Sequence, residues 1–462
     1  MHKARTLQRL IAALAILFLA HPLIAADTDY LVGLAKVDIT PNYPIRLNGF
    51  GFRRSESAGI TQRIWAKAIA IDDGDRQPIV LVTIDSLGIP LCMVEEVGGR
   101  LERKRNVTRD RFAVTFTHSH TTPKVNGASD TIFSAPIPDD HQSHIDRYTI
   151  ELTDWIEQVA SRAIDDLRPS SLAWSVGRVG FAKNRRTEGG PVDHDLPMLI
   201  VRDNASNKIR GIYVSYACHC VTLSNNKISG DWAGYAQEII ERNHRGAIAL
   251  VSVGCGSDSN PDSGVTGDNV AIAAAQGEQI AREVDRLLQM KLRPLNGAIT
   301  PRLETIHLAL NDLPTRSQLT EIIDEGGPAG YNATFQMAKL DRGEQLQSSI
   351  KYPIQTFTFA DSLAMVFLPG EVCVDYSLRL KRQFAADRIW LNGYANDFCA
   401  YILSERLLQE GGYGGGAEIV HFALPSTLKP GLEEQIIRAV HRLVPNGSSR
   451  QRDPEKKQGS RP

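Results

Sequence analysis

Beyond its first 26 residues the chain has no apolar run long enough to span a bilayer, which excludes a bundle of membrane-spanning helices and leaves an uncleaved N-terminal anchor as the one helical alternative. It also has no CxxC pair. Its six cysteines, Cys92, Cys218, Cys220, Cys255, Cys373 and Cys399, stand singly in apolar contexts. That excludes a thiolate zinc cluster and gives no disulfide framework. Cys218 and Cys220 share a strand face and are poorly placed to bond each other, so the cysteines read mainly as small buried hydrophobes. Neither sign of charge is in excess: 52 basic residues face 53 acidic ones, for a net charge of -1. Such a balance offers no basic face for nucleic acid or anionic lipid. No internal repeat of fixed period is present. What remains is an ordinary globular composition, 42% hydrophobic over 462 residues, enough for one large core or two fused ones.

Met1–Ala26 has a basic start, an apolar stretch from Leu10 to Ala20 and small residues before Asp27. It reads as a secretory signal cleaved near Ala25 or Ala26, which predicts a secreted or periplasmic protein with no transmembrane segment after processing. Strand-like, β-branched runs then alternate with amphipathic helical stretches. The runs include "IWAKAIAI", "PIVLVTIDSLG", "FAVTFTHSH", "GIYVSYACHC" and "AIALVSVGCG"; the helices fall on "IDRYTIELTDWIEQVASRAIDDL", "WAGYAQEIIERNH", "NVAIAAAQGEQIAREVDRLLQM" and "EVCVDYSLRLKRQF". The alternation predicts an α/β fold of mixed sheets flanked by helices. Residues 27–445 form the expected catalytic region, with a possible subdivision near 291–305. The polar tail 446–462 reads as disordered.

Functional side chains gather where strands end. "VTFTHSHTTP" at 114–123 carries His118 and His120, which on a strand would share one face. His219 follows "GIYVSYAC", and Asp258 and Ser259 lie in "GCGSDSNPD" after "AIALVSV". Glu371 sits in "VFLPGE", and Tyr401 follows "LNGYANDFCA". In α/β sheets ligands bind beyond the carboxyl ends of strands, which predicts the active site there. Two histidines and a carboxylate satisfy the donor count of a catalytic zinc site that keeps one open position.

The order of these motifs resembles the neutral, non-lysosomal ceramidases over roughly Leu31–Ser426. "THSH" is similar to that family's T-H-T-H, "KNRR" to its N-R-S, "ISGDWAGYA" to its I-S-G-D-x-x-G-Y-A, and "FLPGE" to its P-G-E. The resemblance implies a Zn²⁺ cofactor held by His118, His219 and Glu371, with Tyr401 completing the sphere. It implies that His120 faces the substrate and that Arg185 helps to bind it. It further implies hydrolysis of an amide bond in a small or lipid-like N-acyl substrate. Larger members carry a C-terminal immunoglobulin-like domain. This chain runs about one helix past Ser426, so the expectation is that this domain is missing, which puts long-chain lipid recognition and the ceramide substrate itself in question.

One motif departs from the family. Its serine turn reads G-D-x-S-P-N, whereas here Ser259 precedes Asn260 and Pro261 in exchanged order. Proline fixes its own φ and restricts the residue before it, so the backbone after Ser259 is shifted. The catalytic candidates are therefore His120, Tyr401 and Ser259, with water held at the metal favoured over Ser259 as the attacking group. Asp231 and Asp258 are the expected carboxylate partners of the ligand histidines. Two other readings are a zinc-dependent esterase or small-amide hydrolase, and a secreted metal-binding protein without turnover.

Overall fold

The computed structural model describes residues 30–445. The expected signal and the polar tail lie outside them. The chain opens with an antiparallel meander, β1 (Tyr30–Asp38), β2 (Trp65–Asp72) and β3 (Ile79–Ile84). Helix α1 (Leu91–Arg105) then crosses to β4 (Phe112–Phe116), which lies parallel to β3. The long α2 (Asp139–Asp165) leads to β5 (Arg168–Arg178), the short β6 (Ala182–Asn184), β7 (Asp195–Asp203) and β8 (Ile209–Tyr216). Helix α3 (Asp231–Asn243) makes the second parallel crossover, to β9 (Ile248–Val253). The short β10 (Ser259–Pro261), α4 (Val270–Leu288) and β11 (Arg293–Leu295) complete the first half. The large sheet runs β4-β3-β2-β1-β5-β7-β8-β9, with β11 added on β5.

This sheet is strongly curled. Only Tyr30–Val32 pair β1 with β5, and the far edge turns back until Lys67 of β2 donates to the Ala249 carbonyl of β9 at 2.8 Å. Alternation sorts its side chains. Ala66, Ala68 and Ala70 of β2 face α1 and α2, while Ile69 and Ile71 face inward. Likewise Ile212 and Val214 of β8 face α3 and α4, and Tyr213 points inward.

A second sheet covers that inner face. It consists of β12 (Ile299–Ala309), β13 (Ser349–Phe359), β14 (Leu363–Phe367) and, after β15 (Glu371–Val372), β16 (Ile389–Asn392). A helical hairpin, α5 (Arg316–Glu325) and α6 (Gly327–Asp341), is inserted between β12 and β13. Helix α7 (Val374–Gln383) precedes β16. The short β17 (Tyr401–Ile402), α8 (Glu405–Glu410) and α9 (Leu432–Leu443) follow it. Tyr213 of β8 stacks on Trp390 of β16 at 4.7 Å and 14°. Tyr213 also donates to Asn392 at 2.7 Å, and Trp390 Nε1 to Ser215 at 2.7 Å. The compositional break at 291–305 is where the chain leaves one sheet for the other, and both sheets share one core cluster.

The α/β class and the mixed, helix-flanked sheets agree with the sequence reading. Three local expectations need correction. The run through "FAVTFTHSH" is a strand only to Phe116; His118 has φ 55° and lies in a turn, so a shared strand face does not explain the histidine pair. Glu371 opens no helix but pairs in parallel with Tyr401, and α7 begins at Val374. Helices α1, α5 and α6 also went unread. Gly98–Gly99 inside α1 looks like a breaker, yet Gly98 lets Arg109 and Phe112 pack close. Gly326 (φ 75°) alone breaks the helix, and Gly327 and Pro328 already form the first turn of α6.

Candidate active site

The curl of the large sheet brings together the carboxyl ends of β4, β8 and β9, and the second sheet adds the ends of β14 and β16. Each end contributes a loop. After β4, the left-handed turn at His118 aims its imidazole inward and lets Nδ1 donate to the Leu87 carbonyl at 2.8 Å. Two residues on, His120 Nδ1 donates to the Gly49 carbonyl at 3.0 Å. Gly49 has φ 91°, and a Cβ there would sit 2.6 Å from the His120 ring, so only glycine fits. After β8, His219 Nδ1 faces the carbonyls of Gly256 and Ser259 at 3.0 and 3.2 Å. After β14, Gly370 (φ 75°) passes so close to the Ala400 carbonyl that a Cβ would lie 2.5 Å from it. That tight passage sets Glu371 in register with Tyr401.

A backbone carbonyl can only accept, so each histidine carries its hydrogen on Nδ1 and leaves Nε2 bare in the neutral ring. The three Nε2 atoms turn toward one another. His118 Nε2 is 3.1 Å from His120 Nε2 and 3.4 Å from Glu371 Oε2, and His219 Nε2 is 3.1 Å from the same oxygen. All these residues but the partly buried His120 are almost wholly inaccessible. Burial depresses the basicity of His219 to about 4, aided by the Arg185 charge. It also holds His120 well below the usual imidazole range, aided by His118 and His219. Burial opposes ionisation of Glu371, but positive charge on the neighbouring His118 and His219, present when their Nε2 atoms are protonated, outweighs it and holds the carboxyl well below its ordinary range.

Acceptor lone pairs that converge at this range repel unless a cation lies between them. At zinc–nitrogen distances near 2.0–2.1 Å, tetrahedral ligands stand roughly 3.3 Å apart, which is the spacing found here. The donor set therefore fits a divalent metal ion. Two overlapping triads share His118 and His219: one is completed by Glu371, the other by His120. The sequence reading kept His120 apart from the ligands, yet its Nε2 belongs to the converging group.

Tyr401 and Arg185 meet beside this centre. Arg185 donates to the Tyr401 hydroxyl at 3.0 Å and lies over the rings of Tyr401 and Tyr413 at 5.6 and 5.5 Å. Burial pushes the Tyr401 hydroxyl well above its ordinary pKa, against the opposing pull of Arg185, so it stays protonated. The Arg185 backbone N–H donates to Asp258, and Arg186 donates to Gly411 at 2.9 Å, which ties the "KNRR" turn to the glycine-rich loop.

The expected carboxylate partners serve elsewhere. Asp231 accepts the N–H groups of Leu223 and Trp232, at 2.8 and 2.6 Å, in its own left-handed turn (φ 55°). It reaches His219 only through Trp232, whose Nε1 donates to the His219 carbonyl. Asp258 accepts from Val374 N at 2.9 Å and from Asn184 at 3.3 Å. Backbone carbonyls orient the histidines instead, because their Nδ1 atoms are already committed to them. Ser259 is buried, its hydroxyl has no hydrogen-bond partner among the described residues, and it contacts His219 through its backbone.

The centre opens into a narrow, half-open pocket with a free volume of about 20 Å³. His118, His120, Glu371 and Tyr401 line its polar side, and Leu87, Ile132, Phe398 and Phe422 its apolar side. Tyr413 and His421 close it from the glycine-rich segment. None of these last six was read from the sequence. Only the glycine pattern around Tyr413 could have signalled one of them.

Fold and site thus define an α/β protein with a buried His/Glu centre, suited to a metal, at converging strand ends. Residues 30–248 match the family model described as neutral/alkaline non-lysosomal ceramidase, N-terminal. Among curated proteins, a neutral ceramidase of Drosophila pseudoobscura pseudoobscura is 24% identical over 51% of this chain and 35% of its own length. Neutral ceramidase 3 of Arabidopsis thaliana is 27% identical over 34% of this chain and 21% of its own. The match therefore spans about a third or less of the length of these relatives. The crystal structure of neutral ceramidase from Pseudomonas aeruginosa superposes with a TM-score of 0.69 at 18% identity, covering 92% of this chain and 77% of that one. A ceramidase complexed with C2 gives 0.68 at 18% identity, over 87% and 73%. The resemblance to the neutral ceramidases is thus borne out over residues 30–248, and the shared fold extends across most of the chain.

Proposed function

We propose that this chain is a metal-dependent amide hydrolase of ceramidase type, with zinc as its metal, acting on an N-acyl substrate outside the cytoplasm. The observation that carries the reading is the convergence of bare Nε2 atoms on Glu371 with every Nδ1 tied to a carbonyl. His118, His219 and Glu371 would hold the ion, with Tyr401 at its edge. When bound, zinc would supply Lewis acidity and lower the pKa of water in the site.

Hydrolysis adds OH to the acyl carbon and H to the nitrogen as the C–N bond breaks. Arg185 donates into the Tyr401 oxygen, so the Tyr401 O–H is free to donate to the carbonyl oxygen as negative charge develops there. His120, neutral and with Nε2 bare, can accept the proton that leaves water and return it to the amine. Phe398, Phe422 and Leu87 hold the acyl group and exclude bulk water. The attacking group is water, since the buried Ser259 hydroxyl has no hydrogen-bonded base among the described residues to activate it.

The test is metal analysis of purified protein together with hydrolysis of an N-acyl amide. About one zinc per chain is expected, with turnover abolished by chelation and restored by zinc. Full activity in metal-free protein would overturn the reading. For export, sequencing of extracytoplasmic protein should place the N-terminus near Asp27, and an intact Met1–Ala26 would contradict that part.

A further inference from the structure

The segment from Gly411 to Leu424 forms a roof over the pocket, and it is tied down along its length. Glu418 accepts the N–H groups of Gly414 and Gly416 at 2.8 and 3.1 Å, which closes the glycine loop on itself. Thr131 donates to the Val420 carbonyl at 2.6 Å and accepts from Ala423 N at 3.0 Å. Thr131 belongs to the loop whose neighbours Ser129 and Ile132 also line the pocket, so it joins roof to wall. From α6, Asn332 and Gln336 donate to the carbonyls of Leu424 and Ala423, both at 2.8 Å.

Beneath the roof the rings interlock. Phe422 lies 5.1 Å from Phe398 and 5.8 Å from Tyr401, centroid to centroid, and Tyr413 lies 6.0 Å from Tyr401. The free space between these walls is only about 20 Å³, far below the roughly 300 Å³ at which sites that bury a drug-sized ligand begin, and the pocket is open on one side. It has an apolar wall for the first carbons of an acyl group and an end stopped by Phe422 against Phe398.

Resting on the hydrolase reading above, we infer that this roof is a specificity element that restricts the enzyme to short-chain N-acyl amides, with Phe422 as the stop. A long acyl chain would have to leave the pocket past Tyr413 and lie in water, where further methylenes gain nothing.

The experiment measures kcat/KM of the zinc-loaded enzyme on N-acyl derivatives of one fluorogenic amine, from acetyl to palmitoyl. A methylene that enters an apolar wall should raise kcat/KM about four-fold. The gain is expected to level off within the first few carbons. Phe422→Ala should extend the rise to longer members, and Phe422→Leu, the milder change, should extend it by fewer. A rise in the unaltered enzyme that continues to palmitoyl would overturn the inference, as would an unchanged profile in folded Phe422→Ala and Phe422→Leu. Thermal stabilisation by the same amides reads the length limit without turnover. Absence of hydrolysis beside short-chain-selective binding would therefore overturn the proposed reaction and leave the length limit standing.

Discussion

Glu371→Gln separates what the metal does for this site from what the fold does. In the unaltered protein Glu371 Oε2 lies 3.1 and 3.4 Å from two imidazole nitrogens, both bare in the neutral rings. Without a cation, three acceptors face each other in a buried space, and the site is relieved only by taking up a proton. With a cation, the carboxylate supplies the charge that offsets part of it. Glutamine changes both states in opposite senses. Its side-chain N–H can donate to an imidazole, so the metal-free variant should be at least as stable as metal-free wild type. As a ligand it brings no charge, and metal affinity should fall by at least about 100-fold. That corresponds to about 2.7 kcal/mol of lost metal-linked stabilisation. In a chain of this size it is a shift of roughly 3 °C in the Tm gained on adding zinc. The assay is a pair of melts, after exhaustive chelation and after zinc reconstitution, with metal content measured on each sample. If the variant keeps one tightly held zinc and the full zinc-dependent rise in Tm, or if its metal-free form is markedly less stable than metal-free wild type, the reasoning fails.

Ser259→Ala should retain its metal and most of its kcat, because the contact with His219 is made by the backbone; a loss of several orders of magnitude with zinc unchanged would restore the serine as the attacking group. Arg185→Met should leave metal content intact and lower kcat by about 100-fold, since Tyr401 then loses the donor that orients its hydroxyl; metal analysis beside steady-state kinetics checks it. Asp397, buried at the start of α1 and accepting from Leu91 N, has its pKa pushed up to about 7 by burial. The folded state therefore binds this proton more tightly than the unfolded chain, and stability falls as pH rises from about 4 to about 7, by up to about 4 kcal/mol. Asp397→Asn keeps an acceptor for Leu91 and should flatten that slope, as read from denaturant midpoints across the pH range.

Sequence alone determined the α/β class, most of the strands, the helices α2, α3, α4 and α7, and the residues on which the site is built. It could do so because each signal is local. Period-two runs bury one face of a strand, period-3.6 runs bury one face of a helix, and polar groups at strand ends stand out against apolar neighbours. The ceramidase-like motif order added the pairing of His118 with His219 and Glu371, residues up to 253 positions apart. What local pattern could not supply was orientation. The meeting of His118 with His120 depends on a left-handed turn, not on a strand face. The partners of the histidines are backbone carbonyls of Leu87, Gly49 and Gly256, and a carbonyl carries no residue-type signal. Asp231 and Asp258 looked like partners because they are acidic and nearby in the chain, but turn N–H groups claim their oxygens first. The pocket walls at Leu87, Ile132, Phe398 and Phe422 come from four segments that meet only because the large sheet curls and the second sheet closes over it. Pocket volume is a property of that packing, and so it was decided by tertiary structure alone.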